Sequence, residues 1–226
     1  MFRKAFPVTV PVLLGYLTIG IAFGLLLRTS GYPWYLAPLM SLLVYAGALQ
    51  YLAVGLLAAN VSIWEAALLA LVVNARHIAY GLSLLERYRC RGLRKLYLIF
   101  ALTDETFALV TSAEPPADLD PTDYFVALSL LDQSYWVAGS LIGALVGGFL
   151  PFDMRGLDFA LTALFVVLVV EQLKVARSPL PFLVAAVCSV ASYFIVGPRN
   201  MLVAAVASTL FLLVLLYKEV VPRAAR

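Results

Sequence analysis

Ten residues able to carry charge or to exchange hydrogen bonds fall within or beside otherwise apolar stretches: Gln50, Asn74, Arg76, His77, Asp104, Glu105, Asp132, Gln133, Glu171 and Arg199. Arg76 with His77 joins a permanent cation to a ring that titrates near neutral pH, a combination suited to gripping a carboxylate or relaying a proton. Thr103-Asp104-Glu105-Thr106 sets two carboxylates side by side. Neighbours on a helix point about 100 degrees apart, so the two cannot share one task. One can pair with Arg76 or Arg199 while the other meets an ammonium or a proton. Each reading has a plainer counterpart: a structural Arg–carboxylate pair, a histidine bonded to the next helix, a solvated elbow. Gln50, Asp132 and Gln133 read first as hydrogen-bond glue between helices. Glu171 and Lys174, three apart, read as a surface pair.

The elements that must position these groups are dictated by the solvent. Of 226 residues, 63% are hydrophobic and 13% charged, and mean hydropathy is +0.97, far from the roughly 25% charged of water-soluble domains. Apolar stretches fall at about 8–27, 34–59, 62–86, 96–112, 125–150, 157–173, 180–196 and 200–217, several long enough for the roughly 20 residues a bilayer core requires. Tyr32, Trp34, Tyr35, Trp64, Tyr124 and Tyr217 mark interfaces, and the other Phe and Tyr are expected to pack. Met1-Phe2-Arg3-Lys4 has the look of a signal n-region, but Val8 to Leu27 is longer than an h-region and no small-residue cleavage pattern follows. It is read as a first span. The fold expected is an all-α, polytopic transmembrane helical bundle, one domain over 1–226 in a cell membrane.

A charge at the centre of a membrane helix costs about 2.5–3.5 kcal/mol, so Arg76, Asp104, Glu105 and Asp132 should face inward, paired or hydrated. Breaks in helices point to the same interior, because unsatisfied backbone is tolerated only in protein-walled or watery space. Two breaks are expected, at Asn74-Ala75-Arg76-His77 and at Gly197-Pro198-Arg199-Asn200. They lie 123 residues apart, and at that offset Ile19, Gly20, Gly24, Val44 and Arg76 match Ile142, Gly143, Gly147, Val167 and Arg199. Two weakly similar halves with interrupted or re-entrant helices follow, about 8–86 and 125–217, joined by a connector at about 87–124.

Basic residues orient the chain, since Lys and Arg collect in short cytoplasmic loops. Arg3 and Lys4 together with the Arg87, Arg89, Arg91, Arg94 and Lys95 loop require an even number of crossings between them. A re-entrant pair over 62–86, its tip near Arg76, would satisfy this. Placing Lys174, Arg177, Lys218, Arg223 and Arg226 on the same side puts twelve of the sixteen basic residues inside, provided that 96–112 does not cross fully. A plain crossing there would invert the second half.

Several classes are set aside. The net charge of +3 sits in clusters beside apolar spans, which suits anionic lipid rather than nucleic acid. Cys90 and Cys188 support no disulfide framework, and with His77 as the one histidine no metal or other cofactor is assigned. H-E-x-x-H, G-x-S-x-G and a Gly-rich phosphate loop are all missing from the sequence, so an enzyme is not expected. Gly139, Gly143 and Gly147 form a small-residue stripe for close helix contact.

Val44-Tyr-Ala-Gly-Ala-Leu-Gln50, Val73-Asn-Ala-Arg-His77, Leu102-Thr-Asp-Glu-Thr-Phe107 and Trp136-Val-Ala-Gly-Ser-Leu-Ile-Gly-Ala-Leu-Val-Gly147 resemble, in unbroken order, the AzlC family of branched-chain amino-acid transport proteins. Asp132 is more acidic than the polar residue this resemblance leads one to expect. The resemblance implies export of Val, Leu or Ile across a bacterial inner membrane, together with a small AzlD-like membrane subunit, and it makes Gln50, Asn74, Arg76, His77, Asp104 and Glu105 the candidate site. Such a solute agrees with the residues: its carboxylate suits Arg or a helix N-terminus, its ammonium a carboxylate, its side chain an apolar wall. Alternating access coupled to a gradient is the expected mode; a channel or permease for another small solute, or an intramembrane enzyme, are the alternatives.

Overall fold

A long apolar run has no reason to leave the helix inside hydrocarbon, where each backbone N–H and C=O must find a partner in the chain itself. In the computed structural model, α1 (Phe2–Thr29), α4 (Ile63–Ser83) and α7 (Pro121–Val146) are each long and apolar enough to cross a membrane. Shorter helices are α2 (Leu36–Leu43), α3 (Gly47–Ala58), α5 (Leu93–Phe100), α6 (Asp104–Ser112), α8 (Leu180–Val196) and α9 (Met201–Leu215). The structure describes residues 1–59, 61–149, 178–197 and 200–216 and the single positions 166, 169, 170 and 173. Among them there is no strand, as expected of a helical membrane bundle. Arg199, Glu171, Lys174, Val167 and most of the apolar stretch 157–173 lie outside the described residues.

The chain divides into two compact units, within residues 1–158 and 159–226. In the second, α8 and α9 pack on each other around buried Cys188, Ser192 and Ala205. The expected interruption is there: α8 stops at Val196, Gly197 takes φ +77, a value suited to glycine, and α9 starts at Met201.

In the first unit α1 and α7 form the central seam. Thr9 bonds Tyr135 and Tyr16 packs edge-on to Trp136, while Gly24 meets Ser140 and Ala144, and Arg28 meets Gly147, so the two helices run parallel. Glycine makes the approach possible. A Cβ on Gly24 would strike the Ser140 carbonyl and the Ala144 amide, and one on Gly143 the Ile21 carbonyl. Gly20 of α1 thus lies against Gly139 of α7, and Gly24 against Gly143.

The remaining helices pair into two hairpins that enter from opposite ends. In the first, α2 descends along α7, with Ser41 on Ser140 and Gln133 on the Leu42 carbonyl; the chain turns at Tyr45, and α3 returns with Gln50 against Ser41 and Trp136. In the second, Leu98 of α5 and Val110 of α6 lie in one buried cluster with Ala5, Leu84, Tyr88 and Tyr124, so both limbs belong to the end where α1 and α7 begin. Its turn is Ala101–Thr103. Near the turns, the Tyr45 ring lies 6.4 Å from that of Phe100.

That shared end is the basic one. Lys4 bonds Asp118 at 2.6 Å, Arg94 bonds Asp123 at 2.8 Å, and Arg87 donates to the Val110 carbonyl. Asp118 is held below the usual carboxylate range, chiefly by the hydrogen bond from Lys4, and Asp120 likewise, chiefly by the Asp123 amide. Burial pushes the Tyr88 phenol up. Arg3, Lys4 and the 87–95 loop thus stand at one end of the unit, with α1 and α4 the two helices between them long and apolar enough to cross a membrane, and 96–112 folds into two short helices. α7, with which the expected second half opens, runs in the same direction as α1.

Two expectations are corrected. The 62–86 segment is no re-entrant pair, since α4 runs unbroken through Asn74-Ala75-Arg76-His77. No Gly or Pro interrupts it, and Arg76 finds its countercharge laterally on Asp104, so its backbone ladder need not open. The re-entrant pair is instead 34–59, which breaks at Val44-Tyr45-Ala46, with Tyr45 at φ +43. The sequence reading missed this turn because no charge, Gly-Pro or Asn marks it.

Candidate functional site

Thr103 starts the site. Its extended backbone and hydroxyl cap α6 by accepting the Thr106 amide at 3.2 Å, which leaves Asp104 and Glu105 in the first helical turn, where the dipole favours anions. The two carboxylates then diverge as their helical spacing requires. Asp104 Oδ2 meets Arg76 of α4 at 2.9 Å, and Asp104 Oδ1 accepts the Tyr80 hydroxyl at 2.8 Å. Glu105 Oε2 accepts the Tyr16 hydroxyl of α1 at 2.7 Å. Tyr80 is fixed by stacking on Phe107, 4.4 Å between centroids, and His77 sits edge-on to Tyr80.

The Arg76–Asp104 pair keeps about a third of each side chain accessible (33% and 34%). It can therefore exchange partners with a ligand, because an accessible pair is worth only about 0–1 kcal/mol. Asn74 and His77 stand half-buried on the same stretch of α4, without side-chain hydrogen bonds among the described residues. Arg76 lies within α4 rather than at a helix N-terminus; the nearby N-terminus is that of α6, and Asp104 occupies it.

Deeper in, Asp132 of α7 is fully buried and accepts the Thr106 hydroxyl at 2.9 Å. Its other oxygen has no partner, and neither does the buried Tyr45 hydroxyl. Gln133 accepts from the Tyr97 hydroxyl at 2.9 Å and so ties α5 to α7. Gln50 is separate: fully buried, it donates to Ser41 and accepts the Trp136 indole N–H at 2.9 Å, so its amide is already engaged within the first hairpin.

The structure thus brings together Arg76, His77, Asn74, Asp104 and Glu105, sets Asp132 behind them, and sets Gln50 apart. Sequence reasoning missed Tyr16, Tyr45, Tyr80, Thr103 and Thr106. The threonines carried a usable signal, the Thr-x-x-Thr frame around two carboxylates. The tyrosines, expected to pack, do so with their rings while their hydroxyls point into the polar cluster. Elsewhere, α2, α3 and α4 flank an open apolar groove of about 520 Å³, lined by residues such as Met40, Val44, Leu49, Ala53 and Ala66.

Comparison with known proteins points one way. The family model described as AzlC protein matches residues 11–150. The branched-chain amino acid transport protein AzlC of Bacillus subtilis is 37% identical over 96% of this chain and 85% of its own length. A membrane protein of Helicobacter pylori is 46% identical over 76% of each chain, and the inner membrane protein YgaZ of Escherichia coli is 32% identical over 70% of this chain and 67% of its own length. No solved structure matches.

Proposed function

Since this chain belongs to the AzlC family of membrane transport proteins, we propose that it exports branched-chain amino acids, with the zwitterion docking between Arg76 and Asp104. The carrying observation is that ion pair: opposite charges 2.9 Å apart, a third accessible, bridging a crossing helix to the tip of a re-entrant hairpin. A zwitterion replaces one internal contact with two. Its carboxylate takes the Arg76 guanidinium, which presents paired N–H donors, and its ammonium takes Asp104, helped by the acceptor capacity of Asn74. The branched side chain needs an apolar surface, and the groove between α2, α3 and α4 offers one. Breaking the pair frees the second hairpin from α4, a route to alternating access driven by an ion gradient. A small AzlD-like membrane subunit completes the transporter, and the exposed apolar face of α4 is free to receive lipid or that subunit.

Counterflow of labelled Val, Leu and Ile in vesicles, with and without the small subunit, tests this reading. Arg76→Ala and Asp104→Asn each lower counterflow by at least about tenfold, as expected when one partner of a charged contact is truncated. Wild-type rates in Arg76→Ala would remove the dock. Saturable flux of an unrelated solute, with none for these three, would favour a permease of another kind.

A further inference from the structure

Asp132 raises a question that a docking site does not answer. It is a fully buried carboxylate, and no described Lys, Arg or His forms an ion pair with it. A bare charge in that position is strongly disfavoured unless a proton or a cation joins it. The groups facing it are Tyr45 from the first hairpin's turn, Tyr97 from α5, and Thr106 and Glu105 from α6, with Gln133 next to it on its own helix and Tyr16 of α1 reached through Thr103. Arg76, the cation of the cluster, is engaged by Asp104.

The hydrogen bonds around it run through a chain of five oxygens, of which Thr103 Oγ1 also accepts the Thr106 amide. Asp132 Oδ2 lies 2.9 Å from Thr106 Oγ1, which lies 3.0 Å from Thr103 Oγ1; Thr103 Oγ1 lies 2.6 Å from the Tyr16 hydroxyl, which lies 2.7 Å from Glu105 Oε2. That makes four links, but the three hydroxyls supply only three hydrogens. With both carboxylates ionised, one pair of oxygens would touch at hydrogen-bond distance with nothing between them. One additional proton, on Glu105 or on Asp132, fills all four links.

We propose that Glu105 and Asp132 share a single proton through Tyr16, Thr103 and Thr106, and that this proton is the one whose movement drives export. This rests on the transport reading above. With the proton on Glu105, the order of donation runs Glu105 to Tyr16 to Thr103 to Thr106 to Asp132; with it on Asp132, every hydroxyl turns and the order reverses. Each oxygen passes on one proton as it receives another, so nothing but one unit of charge moves. Glu105 is exposed and Asp132 sealed, so the chain links a site of entry to a site of storage. The second Asp132 oxygen and the buried Tyr45 hydroxyl, at the turn of the first hairpin, have no hydrogen-bond partner. The chain also joins α1, α6 and α7, so moving the second hairpin would break it.

Full-length protein in vesicles, with its small subunit, separates this proposal from the transport reading. Infrared titration of the carboxyl stretch should show one protonated carboxyl in the wild type near neutral pH, lost or displaced in both Asp132→Asn and Glu105→Gln. Thr106→Val and Tyr16→Phe cut the chain; each should lower export driven by a pH gradient at least about tenfold, a larger factor than it lowers counterflow, which needs no net proton movement. Thr106→Ser restores the hydroxyl and should restore coupling. Two ionised carboxyls in the wild type, or Thr106→Val coupled as tightly as Thr106→Ser, would overturn the shared proton. An absence of counterflow in the wild type would instead overturn the transport reading, with the infrared result still deciding the proton count.

Discussion

The two hairpins reach the interior from opposite ends and are finished differently at their turns. The first carries no charge there: its second limb starts at an uncapped Ala46, Tyr45 is forced to φ +43, and Gln50, Ser41, Ser140 and Trp136 close it against α7 with mutually satisfied hydrogen bonds. The second is capped by Thr103 and carries both carboxylates in its first turn, one reaching sideways to α4 and the other back to α1. A strained turn held by buried amides is a fixed part, because each unmade bond there would leave a desolvated group. A capped turn held by an accessible ion pair can let go of its partner. Work and support are therefore divided between hairpins of similar shape.

The most drastic way to break the comparison is to remove the platform on which both hairpins rest. Gly143→Val places methyl groups against the Ile21 carbonyl. Overpacking of this kind costs roughly 1–3 kcal/mol or more, and a backbone neighbour cannot turn aside, so the expected outcome is loss of folded, monodisperse protein in detergent chromatography. Trp136→Phe sharpens the contrast. It removes the indole donor to Gln50 and should cost about 1–3 kcal/mol in thermal or denaturant unfolding, while flux per folded molecule stays near that of the wild type; a collapse of flux would mean that the first hairpin also works. The smallest effect belongs to Lys4 and Asp118, an exposed pair at the basic end. Because Asp118 is held below its ordinary value of 3.8, its contribution is complete above that value and drains away as the pH falls through the lowered one. Melting curves of Lys4→Ala and the wild type should differ slightly at neutral pH and merge in strong acid.

The membrane class, the common end of Lys4 and the basic loop, and the interruption of 96–112 were legible in the sequence, because hydrocarbon forces apolar runs and loop charges to declare themselves. The site was legible as an inventory: Arg76, Asp104 and Glu105 do converge, since charges in oily segments have few places to go. The location of the first re-entrant turn was not legible. Nothing in Val44-Tyr45-Ala46 itself announces a break, and the contacts that accompany the left-handed Tyr45, such as that with the Phe100 ring, are tertiary. Asn74-Ala75-Arg76-His77 misled in the opposite sense, because polarity within an apolar run was taken for backbone interruption when it is only a side-chain surface. The partners of Gln50, Ser41 and Trp136, were not legible either, because buried amides look alike in sequence whatever they bond.

The glycine seam between α1 and α7 has a mechanical corollary. Where backbone lies directly on backbone, no cushion of side chains can repack to permit gliding, and shear between elements needs such a cushion. The seam behaves as a keel. Whatever reorientation carries cargo from one face of the membrane to the other must come from parts hung on it, and the lightest of those is the short, charged hairpin between α4 and α7.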